Sequence, residues 1–142
     1  KNFSIHITKL LDRLLTNYSK SLRPTHVSGK PTVVITNMNI NSLGPISNFD
    51  MSYTMDCYFR QEWRDERLAY EDSIPQIMLS IKMLDLIWKP DTYFLNGKES
   101  YLHKIPVSNR LVRLRNDGSV LYSSRFFFSF SFNFILSCCA VD

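Results

Sequence analysis

Asp50-Met51-Ser52-Tyr53-Thr54-Met55-Asp56-Cys57-Tyr58-Phe59-Arg60-Gln61-Glu62-Trp63 alternates two kinds of residue with a period of two. Met51, Tyr53, Met55, Cys57 and Phe59 fall on one face, and Ser52, Thr54, Asp56, Tyr58 and Arg60 on the other. Successive side chains of an extended chain point to opposite faces, so this stretch predicts a half-buried β-strand. Cys57 sits in the apolar set and reads as a small core residue.

Shorter strand signals surround it. Thr32 to Ile40 is β-branched and roughly alternating, and Gly44-Pro45 within Ser42–Asn48 signals a turn. Gln76 to Ile81, Tyr101 to Ile105, Leu111 to Arg115 and Ser119 to Arg125 are further strand candidates. The last two flank Asn116-Asp117-Gly118, a hairpin signal because this turn chemistry tolerates positive φ. At the other end, Ile7, Leu10, Leu11, Leu14, Leu15 and Tyr18 recur at helical spacing opposite Lys9, Asp12 and Arg13. A helix is therefore expected over Phe3–Lys20, ended by Arg23-Pro24, since the residue before proline avoids the helical region. A helix followed by closely spaced strands indicates a mainly β fold, a β-sandwich with an N-terminal helix.

The 142 residues fit one domain with a sizeable core. The net charge of +4 comes from basic residues interleaved with acidic ones, as in Arg60–Arg67, so nucleic acid is not an expected partner. Cys57, Cys138 and Cys139 make no metal-ligand spacing, so no metal or other cofactor is expected. His6, His26 and His103 lie near no nucleophile pattern, and phosphate-loop and Gly-x-Ser-x-Gly motifs are missing, which speaks against an enzyme. The chain starts at Lys1 with no basic region leading into an apolar one, so a signal peptide is not expected within it as given, which suits a mature form or a fragment. Asn2-Phe3-Ser4 and Asn17-Tyr18-Ser19 fit the N-glycosylation acceptor pattern. The stretch from Phe126 to Val141 is apolar and Phe-rich, and falls short of the roughly 20 residues that a spanning helix needs.

Two Trp-containing stretches combine bulky apolar and charged residues that only a specific fold satisfies: Trp63-Arg64-Asp65-Glu66-Arg67-Leu68 and Trp88-Lys89-Pro90-Asp91-Thr92-Tyr93-Phe94-Leu95-Asn96. Together with Ser42–Ser47, Asp50–Asp56 and Arg113–Ser123, in that order, they give residues 3–125 a clear likeness. The chain resembles the extracellular ligand-binding domain of the pentameric Cys-loop receptors, in particular GABA type A receptor subunits of the anion-selective branch. The resemblance implies an incomplete immunoglobulin-like sandwich over residues 1–125. Residues 126–142 depart from the pattern and are expected to lie outside the family fold, and the two-Cys signature loop, later binding loops and membrane helices are not expected within the stretch given.

The resemblance also implies a function: part of a subunit of a GABA-gated chloride channel that binds an amino-acid transmitter between sister subunits of a pentamer. A glycine-gated subunit is the alternative within the family, and a soluble truncated module that interferes with assembly is the alternative outside it. The full-length relative belongs on the extracellular side of the postsynaptic plasma membrane, held there by the C-terminal part; the fragment alone would be secreted or retained in the secretory pathway.

Tyr58 and Arg60 stand about 7 Å apart on one strand face. A guanidinium suits the transmitter's carboxylate and an aromatic face its ammonium. The plainer alternative pairs Arg60 with Glu62 or Asp56. The resemblance adds Leu121 and Ser123 to this complementary face, with Arg113 assisting and Arg125 a weaker candidate, and assigns Tyr93 to the principal face. Trp63, Asp65, Arg67, Trp88 and Asp91 are read as structural, with Asp65 accepting backbone N–H bonds or pairing with Arg67.

Overall fold

The computed structural model describes residues 2–26, 28–49, 51–94, 97–102, 110–131 and 136–139. In chain order the elements are α1 (Asn2–Leu15), β1 (Val34–Ser47), β2 (Ser52–Arg64), a 3-10 turn (Glu66–Leu68), β3 (Gln76–Leu79) and α2 (Ile81–Leu84). β4 (Asp91–Phe94), β5 (Gly97–Leu102), β6 (Arg110–Arg115), β7 (Ser119–Ser131) and β8 (Leu136–Cys139) follow. A main sheet runs in the order β1-β2-β7-β6-β3, with β5 also paired to β7, while β4 and β8 form a separate antiparallel pair. The mainly β fold with an N-terminal helix agrees with the sequence.

The chain divides into two compact units. The first comprises residues 1–34, 62–89 and 112–121. Its buried residues include Leu10, Trp63, Leu68, Leu84, Trp88, Val112, Leu114 and Val120. β3 lies antiparallel to β6, with Ile77 opposite Leu114 and Leu79 opposite Val112. All four of these side chains are buried, as the two-residue period requires for one apolar face. The second unit comprises residues 35–61, 90–111 and 122–142. There Met55 and Cys57 form a core with Met38, Tyr53 and Phe126, and Phe59 meets Phe126 edge to face at 6.3 Å.

Several boundaries differ from expectation. The helix stops at Leu15 rather than Lys20, because Asn17 adopts a left-handed φ of 64° and closes the helix well before Pro24. Asn tolerates that region better than most residues and serves as a helix stop. Gly44-Pro45 makes no turn and lies inside the continuous strand β1. Since β1 ends the sheet order, the missing Pro45 N–H need not break a ladder, and proline is compatible with such a strand. Gly44 has its own reason: a Cβ there would collide with the Thr54 hydroxyl.

Met51 does not join the apolar face. It is exposed and turns at φ 49°, just before β2 begins. The run at Gln76 breaks after Leu79 into the short helix α2. The strand expected at Tyr101–Ile105 is β5, displaced toward the N-terminus, and residues 103–109 lie outside the described set. Asp91–Phe94, which is not among the strand candidates of the sequence, is strand β4. The break expected at Arg125 falls inside β7, which continues to Ser131.

The turn between β6 and β7 follows its sequence signal. Gly118 has φ 84°, its N–H donates to the Arg115 carbonyl, and its own carbonyl accepts from the Asp65 N–H at 2.9 Å. A Cβ at Gly118 would collide with the Asp65 carbonyl. Gly118→Ala is therefore expected to lose at least about 2 kcal/mol, through positive-φ strain and displacement of the 65–69 segment; a urea midpoint unchanged from wild type would refute this. The neighbouring Asp117 carboxylate accepts from the Ser119 N–H at 2.9 Å and from its hydroxyl, which holds its pKa below the usual carboxylate range. A lowered folded pKa stabilises above the unfolded value and loses that contribution as pH falls through the folded one. Asp117→Ala should thus unfold more readily than wild type at neutral pH, with the difference closing under acid; denaturant titrations at several pH values check it.

Candidate ligand-binding face

In the first unit, the residues that open the two Trp-containing stretches, Trp63 and Trp88, meet. The Trp63 and Trp88 rings pack edge to face, 5.9 Å apart and nearly perpendicular. Beside them Asp65 is fully buried. One of its carboxylate oxygens accepts from the Arg67 backbone N–H at 3.1 Å and from Arg67 Nε at 2.9 Å. The other accepts from Arg67 Nη2 at 2.8 Å and from the Tyr18 hydroxyl at 2.7 Å. Both roles expected of Asp65, backbone acceptor and Arg67 partner, are therefore realised.

Periodicity places Tyr18 in the helix stripe, and in the structure its hydroxyl is the hub of this cluster. It donates to Asp65 and accepts from the Trp88 N–H at 3.0 Å and from Arg67 Nη2 at 3.2 Å. Burial and the neighbouring carboxylate push the Tyr18 pKa upward, so the hydroxyl keeps its proton. The Arg67 guanidinium also reaches the Ser19 and Leu22 carbonyls and lies 4.4 Å from the centre of the Tyr18 ring. Its bonds to Asp65 raise its own pKa. Asp91 differs from this group. It is exposed at the start of β4, where a charged side chain remains hydrated, rather than a buried acceptor.

In the second unit, β2 and β7 are neighbours in the sheet. Arg125 donates from Nε to Asp56 at 2.9 Å and from Nη2 to the other carboxylate oxygen at 2.5 Å. Its guanidinium carbon lies 5.8 Å from the centre of the Tyr58 ring. These contacts place Asp56, Tyr58 and Arg125 on one face of the two strands. By alternation Arg60 and Ser123 share that face. Phe59 and Phe126 meet on the opposite one.

Asp56 was expected to be exposed; it is only 8 % exposed because the Arg125 fork satisfies both oxygens and permits burial. The alternative pairing of Arg60 is not realised. Asp56 takes Arg125, and Glu62, in the first unit, takes Arg115 at 3.1 Å. Arg60 is exposed, and among the described residues it has no ion-pair or hydrogen-bond partner. Ser123 is buried. The residue that sequence reasoning underweighted is Arg125, and its signal was positional: it stands two residues after Ser123 and so faces the same way.

Arg113 and Leu121 belong to the first unit. Arg113 stands opposite Met78 in the β3–β6 ladder, and its buried Nε has no hydrogen-bond partner among the described residues. Leu121 is half-buried on β7. Tyr93 lies in β4 opposite Ser137, and its side chain is outside the described set, as is that of Asn2. Asn17 is exposed at the end of α1. No group of His, Cys, Asp and Glu among the described residues is arranged to hold a metal ion.

The family described as Neurotransmitter-gated ion-channel ligand binding domain matches residues 7–136. The chain belongs to this family. It is thus a receptor domain, not a member of an enzyme family, and the match runs past Arg125. It is similar, at 52% identity over 124 residues, to the gamma-aminobutyric acid receptor alpha-like protein of Drosophila melanogaster, an alignment covering 87% of this chain and 18% of that protein. It is 43% identical over 125 residues to gamma-aminobutyric acid receptor subunit alpha-2 of Rattus norvegicus, covering 88% and 28%. With subunit beta-4 of Gallus gallus the identity is 44% over 124 residues, covering 87% and 25%. The chain therefore spans between 18% and 28% of the length of these relatives. Among the described residues no helix is long and apolar enough to cross a membrane.

The buried cluster of this receptor domain makes a quantitative expectation. Asp65→Ala strands the Arg67 guanidinium and the Tyr18 hydroxyl, and should cost about 3–5 kcal/mol. Tyr18→Phe removes one donor and one acceptor and should cost about 1–3 kcal/mol. Chemical denaturation of the two variants checks both values, and Asp65→Ala within 1 kcal/mol of wild type (about a fivefold change in equilibrium constant) would contradict them.

Proposed function

We propose that the chain is the N-terminal part of the ligand-binding domain of a GABA-gated chloride-channel subunit, and that its β2–β7 face forms the complementary side of a transmitter site between subunits of a pentamer. The observation that carries the reading is the unequal state of two arginines on one face. Arg125 is neutralised by Asp56, while Arg60 is exposed without a partner among the described residues. A transmitter carboxylate finds an uncompensated fork at Arg60. The Ser123 hydroxyl, on the same face, supplies a further donor.

Tyr58 has a revised role in this reading. With a guanidinium already beside its ring, it offers poor ground for a second cation. The transmitter's ammonium is then directed away from this face, toward the principal side of the adjacent subunit, where Tyr93 of the corresponding loop belongs. The resemblance also assigns Leu121 and Arg113, which belong to the first unit. Binding opens the channel by favouring the open state through differential affinity. The relatives named as gamma-aminobutyric acid receptors support GABA as transmitter; glycine remains the competing ligand. The exposed acceptor triplet at Asn17, with that at Asn2, supports glycosylation and an extracellular placement at the postsynaptic membrane.

The test is to carry residues 3–125 in a complete receptor subunit and record transmitter-evoked currents. GABA should open the channels, and Arg60→Ala should raise the half-maximal concentration about a hundredfold, as befits loss of a paired charge contact. Channels opened by glycine and silent to GABA would overturn the choice of transmitter.

A second reading rests on β1, whose Ile35, Ile40, Leu43 and Ile46 are exposed along a terminal strand of the sheet. Such a strand suits association with sister subunits, and the free fragment would then hinder assembly. Co-expression with full-length subunits should lower surface receptor numbers; unchanged numbers would dismiss it.

A further inference from the structure

Asp56 is buried on a strand face whose pattern is polar. It lies on the same strand face as Tyr58 and Arg60, yet it is only 8 % exposed. A buried carboxylate must be compensated, and Arg125 contributes two parallel bonds to it, Nε to one oxygen and Nη2 to the other. That fork fixes the guanidinium in both position and plane. The same guanidinium stands 5.8 Å from the Tyr58 ring centre, and Tyr58 in turn helps to support its charge. One carboxylate therefore fixes a chain of three side chains that ends at the aromatic ring.

We propose that Asp56 is a positioning residue of the transmitter site, which orients Tyr58 through Arg125 and leaves Arg60 as the arginine available to a ligand carboxylate. The proposal rests on the reading of this face as the complementary side. Asp56 acts in two ways. It holds Arg125 as a spacer against Tyr58, so that the ring keeps one orientation. It also occupies the two Arg125 donors that would otherwise compete with Arg60 for the transmitter, and so selects one binding pose out of two. Asp56 itself need not touch the ligand.

Several observations exclude simpler roles. Nothing suggests a metal site, since no cluster of ligating side chains surrounds Asp56 among the described residues. The neighbouring Cys57 is fully buried, with its thiol pKa pushed up to about 11 by burial and then by the Asp56 charge, which makes nucleophilic chemistry there unfavourable. The pair does not simply fasten the apolar core, because Met55, Cys57 and Phe126 pack on the opposite strand face.

The experiment uses the complete subunit carrying residues 3–125 of this chain, with GABA as probe. Four variants are compared: Asp56→Asn, Asp56→Glu, Arg125→Gln, and the double Asp56→Asn/Arg125→Gln. Asp56→Asn should raise the half-maximal concentration about tenfold, with surface number and maximal current preserved, as expected for loss of one charge-assisted pair. Asp56→Glu should recover most of the loss. The double variant should be little worse than either single one, because the two residues act as one unit.

Additive effects, or a shift in surface number with no shift in half-maximal concentration, would overturn the proposal. Arg60→Ala separates the two levels. If it leaves the response unchanged, the assignment of the face itself fails. If it abolishes sensitivity while Asp56→Asn does nothing, only the positioning role fails.

Discussion

A carboxylate without access to water is the constraint around which the first unit is organised. Asp65 is fully buried, and a buried charge left uncompensated costs several kcal/mol. Four donors reach it: the Arg67 N–H, two guanidinium nitrogens and the Tyr18 hydroxyl. Each donor belongs to a segment that must then hold its place. Tyr18 brings the chain leaving α1, Arg67 brings the 3-10 turn, and the hydroxyl of Tyr18 also receives the Trp88 N–H from the segment before β4. Asp65 itself donates its N–H to Gly118 across the hairpin. Distant stretches of sequence thus converge because one group tolerates no alternative.

The second unit repeats this logic at lower burial. Asp56 and Arg125 neutralise one another on a strand face that also displays Arg60. In both units a carboxylate fixes an arginine beside a tyrosine ring, at 4.4 Å in one case and 5.8 Å in the other. The difference lies in what remains exposed. The Tyr18 cluster closes on itself through carbonyl and hydroxyl acceptors, whereas the Tyr58 cluster borders an arginine that is unspent among the described residues. A closed network stabilises, and an adjoining free donor gives the second one something to recognise.

Much of this was legible in the residues. The alternation from Asp50 to Trp63 marked β2, the Asp117-Gly118 step marked the hairpin, and Asp65 stood out as a backbone acceptor or a partner of Arg67. What escaped had identifiable physical reasons. Asn17 ends α1 by adopting a left-handed conformation, which depends on the chain beyond it rather than on periodicity. Met51 fits an apolar stripe by spacing alone, yet its φ of 49° places it in a turn. Asp56 sits on the polar side of a strand and is buried nonetheless, because its partner comes 69 residues later in the sequence. Tyr18 counted as one more apolar position, since a pattern of hydrophobicity is blind to where a hydroxyl points.

The placement of Pro45 within β1 has a consequence for the fate of the molecule in a crowded solution. β1 ends the sheet order, and four of its large aliphatic side chains are exposed, which is the profile of a surface that recruits other strands. A strand arriving from another molecule needs a continuous row of donors and acceptors. Pro45 removes one donor, and its ring obstructs the approach at that point. The same residue that looked like a turn signal thus acts as a gatekeeper, limiting how far a foreign strand can zip along the fourteen residues of β1.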